Sequence, residues 1–116
     1  LEGERVKDAK AFRMVLVTTG SEDEAVKIAR ALVDERLAAC INIVPGMRSI
    51  YRWRGAVKDD SEVLMMIKTG AAAIDELEAR VRELHRYEFP EIISLPLDKG
   101  NEPYLDWLRE SLGNEG

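Results

Sequence analysis

AACINIVPGMRSIYRWRG, residues 38–55, runs straight into AVKDDSEVLMMIKTG, residues 56–70. Residues 38–53 read as strand, and the second stretch is rich in strand formers from Glu62 onward. Gly55 falls between them as a turn, so the two form a long hairpin whose first arm is bent at Pro45-Gly46. An ordinary strand has roughly 5–6 residues, so this hairpin is expected to project beyond its own domain. Alternation puts Met47, Ser49, Tyr51 and Trp53 on one side of the arm and Arg48, Ile50, Arg52 and Arg54 on the other.

Upstream, FRMVLVTT (12–19) is a short apolar, β-branched run that stops at Gly20 and reads as a buried strand. SEDEAVKIARALVDERL (21–37) opens with Ser21 and Glu24 at capping-box spacing, and Ala25, Ile28, Ala29 and Leu32 then mark one apolar helix face. Downstream, AAAIDELEARVRELHR (71–86) carries Ile74, Leu77, Val81 and Leu84 on one stripe, a second helix that must end before Pro90. EIISLPL (91–97) is a strand whose Pro96 suits a sheet edge. A last helix has Asn101 as its cap, Pro103 in the first turn and Gly113 as its stop. Residues 1–11 lack a period and read as a loose N-terminal extension, leaving 12–116 as a single domain. The order strand, helix, strand, strand, helix, strand is the split βαβ, ferredoxin-like α+β arrangement, with an extra C-terminal helix.

Two helices cover one face of such a sheet, yet MVLV (14–17) and VLMMI (63–67) are apolar at successive positions, so both faces need cover. An overlong arm also leaves backbone groups for another chain to pair. Self-association meets both needs.

Bulk properties narrow the function classes. The 116 residues are 46% hydrophobic, enough for one core without staples. Cys40 is the single cysteine, which excludes an intramolecular disulfide and suits a reducing compartment. No apolar run approaches the ~20 residues of a membrane span, and the charged opening LEGERVKDAKAF is unlike a signal peptide, so a cytoplasmic protein without a membrane partner is expected. A net charge of −5 repels phosphate backbones, and no outer strand carries a glycine-aromatic RNA-binding signature, so nucleic acid is not an expected partner.

LAACINIVPGMRSIYRWRG, VLMMIKT, LHRYEFPEIISLPL and the closing YLDWL together resemble the CutA family of divalent-cation-tolerance proteins, over about Met14 to Leu112. The resemblance implies a ferredoxin-like subunit, a homotrimer built through the long hairpins, and a link to copper and other divalent metal ions. It implies no settled molecular activity. The family usually has proline after the histidine of LHPYE; here Arg86 removes that constraint from the turn that carries His85.

Cys40 and His85 are the soft and borderline side chains that copper or zinc would select. Neither belongs to a local metal motif, so a site must bring distant segments or several subunits together. Each has an alternative reading: Cys40 as a small core residue, His85 as a helix C-terminal group facing the dipole. Lys68, in a buried strand, calls for an acidic partner such as Glu91, or an anionic ligand, unless it reaches solvent from near the strand end. Tyr51, Trp53 and Tyr87 are either interface packing or the aromatic wall of an intersubunit ligand pocket with Lys68 and Glu91. Glu88 and Glu91 also read as turn carboxylates. The expected function is a non-enzymatic homotrimer of divalent-cation tolerance without an organic cofactor. The alternative is a trimeric sensor, similar to the PII signalling proteins, that binds a small anion between subunits. A Cys40–His85 nucleophile and base pair would make a hydrolase or transferase, but nothing in their spacing brings them together.

Overall fold

The structure, a computed structural model, describes residues 9–113. Four strands, β1 (Phe12–Thr19), β2 (Cys40–Trp53), β3 (Ala56–Gly70) and β4 (Ile92–Pro96), alternate with helices α1 (Glu22–Asp34) and α2 (Ile74–Leu84), and α3 (Glu102–Ser111) closes the chain. The strands form one sheet in the order β2-β3-β1-β4, antiparallel throughout. That is the split βαβ arrangement. Ala9–Ala11, assigned from sequence to a loose extension, form a 3-10 turn, and Ala9 is buried in a small cluster with Phe12 and Leu108. The rest of that extension, residues 1–8, lies outside the described residues.

Local chemistry sets the helix boundaries. The Ser21 hydroxyl accepts the Glu24 N–H at 3.2 Å, and Glu22, Asp23 and Glu24 place negative charge at the positive end of the α1 dipole. After α1 the chain reverses through Arg36, a non-glycine residue at φ 59. That conformation costs roughly 1–2 kcal/mol. It is held by the Leu37 and Ala38 N–H groups, which both bond the Leu32 carbonyl, and by Arg36 reaching the Ser111 carbonyl at 3.0 Å. Asn101 precedes α3 but makes no side-chain cap bond, so Pro103 in the first turn and Gly113 at φ 82 mark that helix's limits.

The two sheet faces differ sharply. Val15, Val17, Val63, Met65 and Ile67 point toward α1 and α2 and pack against Ala25, Ile28, Leu32, Leu77 and Val81. The register aligns Met14, Leu16, Leu64, Met66, Ile93 and Leu95 on the other face. There α3 covers one end, where Leu105, Leu108 and Leu112 meet Phe12 and Ala39. The remainder stays open, with Val44 43%, Ile93 48% and Leu95 46% exposed. This is the uncovered apolar face that the unbroken runs in β1 and β3 lead one to expect.

β1 stops opposite Val63, while β2 and β3 stay paired out to Trp53 and Ala56, so the hairpin projects without a third strand. The chain is accordingly long, 53 × 25 × 23 Å. Arg54 and Gly55, at φ 50 and 84, close the arm in a two-residue turn with both φ positive. Pro45 and Gly46 stand opposite the single residue Val63, and Gly46 takes φ 81. This bulge reverses the alternation. Cys40, Asn42 and Val44 share the open face before it; Met47, Ser49, Tyr51 and Trp53 share it after. The aromatic row therefore continues the open apolar face along the arm.

Candidate functional site

A cavity of about 630 Å³ lies between the arm and the turn that follows α2, walled by Tyr51, Trp53, Glu62, Tyr87, Phe89 and Glu91 among others. The turn is aimed by buried polar contacts. His85 caps α2, its N–H bonding the Val81 carbonyl. The imidazole Nδ1 accepts the Tyr87 N–H at 3.0 Å, so Nε2 carries the proton and donates to the Thr18 carbonyl at 2.6 Å. Glu24, 8% exposed, sits 3.5 Å from Nδ1 and accepts the Arg86 N–H at 2.9 Å. Glu24 thus reaches across to this turn, not back to the Ser21 N–H as the capping-box spacing suggests. Arg86 does not simply loosen the turn: it has the backbone N–H that a proline would lack, and a buried carboxylate takes it.

Tyr87 is fixed at its other end by donating from its hydroxyl to Glu62 at 3.0 Å. Burial, and then this bond and the charge of Glu62, push the Tyr87 phenol up to about 12. Tyr51 donates to Asp60, and that bond chiefly raises its phenol as well. The Trp53 and Phe89 rings lie 6.0 Å apart, and Arg54 sits 5.2 Å over the Trp53 ring with a 3.4 Å contact to Glu88.

Tyr51, Trp53, Tyr87 and Glu91 all border this one cavity; Lys68 does not. Lys68 lies opposite Met14 and Cys40, and its Nζ donates to the Tyr104 hydroxyl at 3.2 Å and sits over that ring. Glu91 is not its partner, because it precedes Ile92, which pairs with Val17 several residues further along β1. A tyrosine of α3 accommodates the ammonium where a carboxylate was expected.

Cys40 and His85 are not brought together either. Cys40 is partly exposed on the open sheet face, whereas the His85 side chain is buried on the helix side with both nitrogens engaged. Among the described residues no three His, Cys, Asp or Glu side chains are grouped to hold a metal ion. The residues of one chain therefore do not fit a Cys–His metal centre, and the same separation removes the nucleophile and base pair. Glu62, Thr18 and Phe89 are not singled out by sequence, and Glu24 only as a capping-box residue. Only Phe89 carried a visible signal, as an aromatic beside Tyr87 in a turn ending at Pro90.

Sheet order, two crossover helices on one face and a projecting hairpin define a ferredoxin-like α+β domain. The family described as CutA1 divalent ion tolerance protein matches residues 13–111, and the chain belongs to that family. The divalent-cation tolerance protein CutA of Thermus thermophilus is 56% identical over 100 residues, covering 86% of this chain and 97% of the relative. Human protein CutA is 51% identical over 94 residues, covering 81% of this chain, which spans only 52% of that relative. The solved structure of the periplasmic divalent cation tolerance protein CutA of Archaeoglobus fulgidus superposes with a TM-score of 0.85 at 33% identity, covering 87% of this chain and 98% of that one. The family is defined by tolerance of divalent ions, not by a reaction. A PII-like anion sensor gains no support, since Lys68, the cation that reading relied on, lies away from the cavity. Among the described residues no helix is long and apolar enough to cross a membrane.

Proposed function

We propose that this chain acts as a cytoplasmic homotrimer of divalent-cation tolerance, encountering copper or other divalent ions without an organic cofactor. The open apolar face that runs on into the aromatic arm carries this reading, because self-association would bury both. The number three comes from the family resemblance. Cys40, partly exposed on that face, is the soft donor we assign to copper; His85 is reassigned as the pin of the Tyr87 turn. The arm cavity, with Tyr51, Trp53, Tyr87 and Glu91, is the ligand pocket of this reading, completed at a subunit boundary. Equilibrium dialysis with Cu²⁺ tests the metal assignment. Cys40→Ser should lower uptake while the assembly stays intact, and unchanged stoichiometry and affinity in that variant would refute it.

A further inference from the structure

We propose that the arm cavity binds an organic cation, a primary ammonium or guanidinium carried on an apolar body. The proposal rests on reading the cavity as a ligand pocket and adds the chemical class. Its volume, about 630 Å³, is that of a small-molecule site. The charged groups that line it, Glu62, Glu88 and Glu91, are all acidic, and no lysine, arginine or histidine is among the lining residues. Both tyrosine protons are already given away, Tyr51 to Asp60 and Tyr87 to Glu62, so the phenol oxygens turn lone pairs toward an incoming donor. Glu91 makes no hydrogen bond or ion pair among the described residues, and Glu88 has only the 3.4 Å contact with Arg54.

The walls point to the same ligand. Trp53 is 39% and Phe89 69% exposed in the single chain, and both rings line the cavity. Trp53 already holds the Arg54 guanidinium 5.2 Å over its ring, which shows that the indole face accepts a cation in this setting. A bare metal ion would need donors converging on one point, and among the described residues these carboxylates form no such group. A larger cation can touch spaced carboxylates while its body lies on the rings.

Isothermal titration calorimetry of the full chain with phenethylamine and with phenylacetate, two probes of one shape and opposite charge, tests the assignment. Phenethylamine should bind saturably and phenylacetate should not. Glu91→Gln should weaken the amine about tenfold, the loss of one charge-assisted contact. Lys68→Met, remote from the cavity, should leave it unchanged. Tighter binding of phenylacetate, abolished by Lys68→Met, would overturn the cation class while preserving a ligand pocket. If neither probe binds, the inference fails. Acrylamide quenching in a Trp107→Phe background then decides the pocket itself: an indole that still quenches through the cavity mouth in the assembly keeps the pocket, whereas complete shielding means that a neighbouring copy fills the cavity, so the pocket reading falls too. Amine binding that survives Glu91→Gln at full strength would also overturn the proposal, as a nonspecific aromatic contact.

Discussion

Replacing His85 with alanine should destabilise the fold rather than merely lower metal uptake. His85 is 8% exposed, and its ring bridges the Thr18 carbonyl at 2.6 Å and the Tyr87 N–H at 3.0 Å. Alanine leaves both backbone groups without their partner, at roughly 1–3 kcal/mol for each group that stays dry. The lost ring adds a void, and the about 3–5 kcal/mol of a buried Phe or Trp cut to alanine bounds the total for this smaller ring from above. Water entering beside Glu24 would satisfy part of the lost bonding, so the lower half of that range, about 3–4 kcal/mol, is the expected loss. At about 2.1 cal/mol/K of unfolding entropy per residue, each kcal/mol moves the Tm of a 116-residue domain by roughly 4 °C, so the midpoint should fall by about 12–16 °C. Differential scanning calorimetry at matched protein concentration measures this, matching being needed because the proposed assembly would make Tm concentration-dependent. A His85→Ala chain that melts within about 2 °C of wild type would refute the pin assignment. If it also lost copper, His85 would be a free ligand after all.

Three other substitutions probe the same geometry. Arg86→Pro removes the 2.9 Å bond to Glu24. It meets a His85 backbone already extended, as a following proline requires. The lost charge-assisted bond, about 1.5–3 kcal/mol, outweighs the ~0.4–1 kcal/mol entropic gain of proline, so urea denaturation should show a less stable chain; equal or higher stability would contradict this. Gly46→Ala meets no atom within 4 Å but must hold φ 81, so its urea midpoint should reflect only the backbone penalty of about 1–2 kcal/mol. No change there would mean that the bulge is not fixed at this glycine. Tyr87 keeps its proton up to about 12 when folded, against 10.0 for the ordinary phenol. Its stabilisation is therefore complete below the unfolded value and is lost as pH rises through that window. Absorbance titration at alkaline pH should show late-ionising phenol, Tyr51 being raised as well, whose amplitude falls by one tyrosine in Tyr87→Phe; an unchanged amplitude in the variant would count against the assignment.

The order of elements was legible because each carries its own punctuation: Gly20 and Ser21 between β1 and α1, Gly55 in the hairpin, Pro90 after α2. The open face was legible too, since MVLV and VLMMI leave no polar side for solvent. What the sequence left hidden were pairings across elements. Glu24 sits at capping-box spacing, so a local partner accounts for it fully, and nothing along the chain shows that residue 86 offers it a donor. Lys68 and Glu91 are both near strand ends, but which ends coincide depends on the β1–β4 register, which one sequence does not fix. Lys68 instead finds Tyr104, on a helix whose docking end cannot be read from its own apolar stripe. Cys40 and His85 failed as a pair for the same reason: spacing says nothing of which sheet face each will occupy. Arg36 at φ 59 carries no glycine or asparagine signal, because its cost is met by contacts made only after folding.

On the proposed reading one chain is an incomplete fold, with an apolar sheet face and an arm that further copies cover. Sedimentation equilibrium at micromolar concentration tests it directly. A single species of three chains, each 13.1 kDa, with no folded monomer detectable on dilution, is the expected result. A stable monomer of that mass, with its sheet and helix circular dichroism intact, would contradict it.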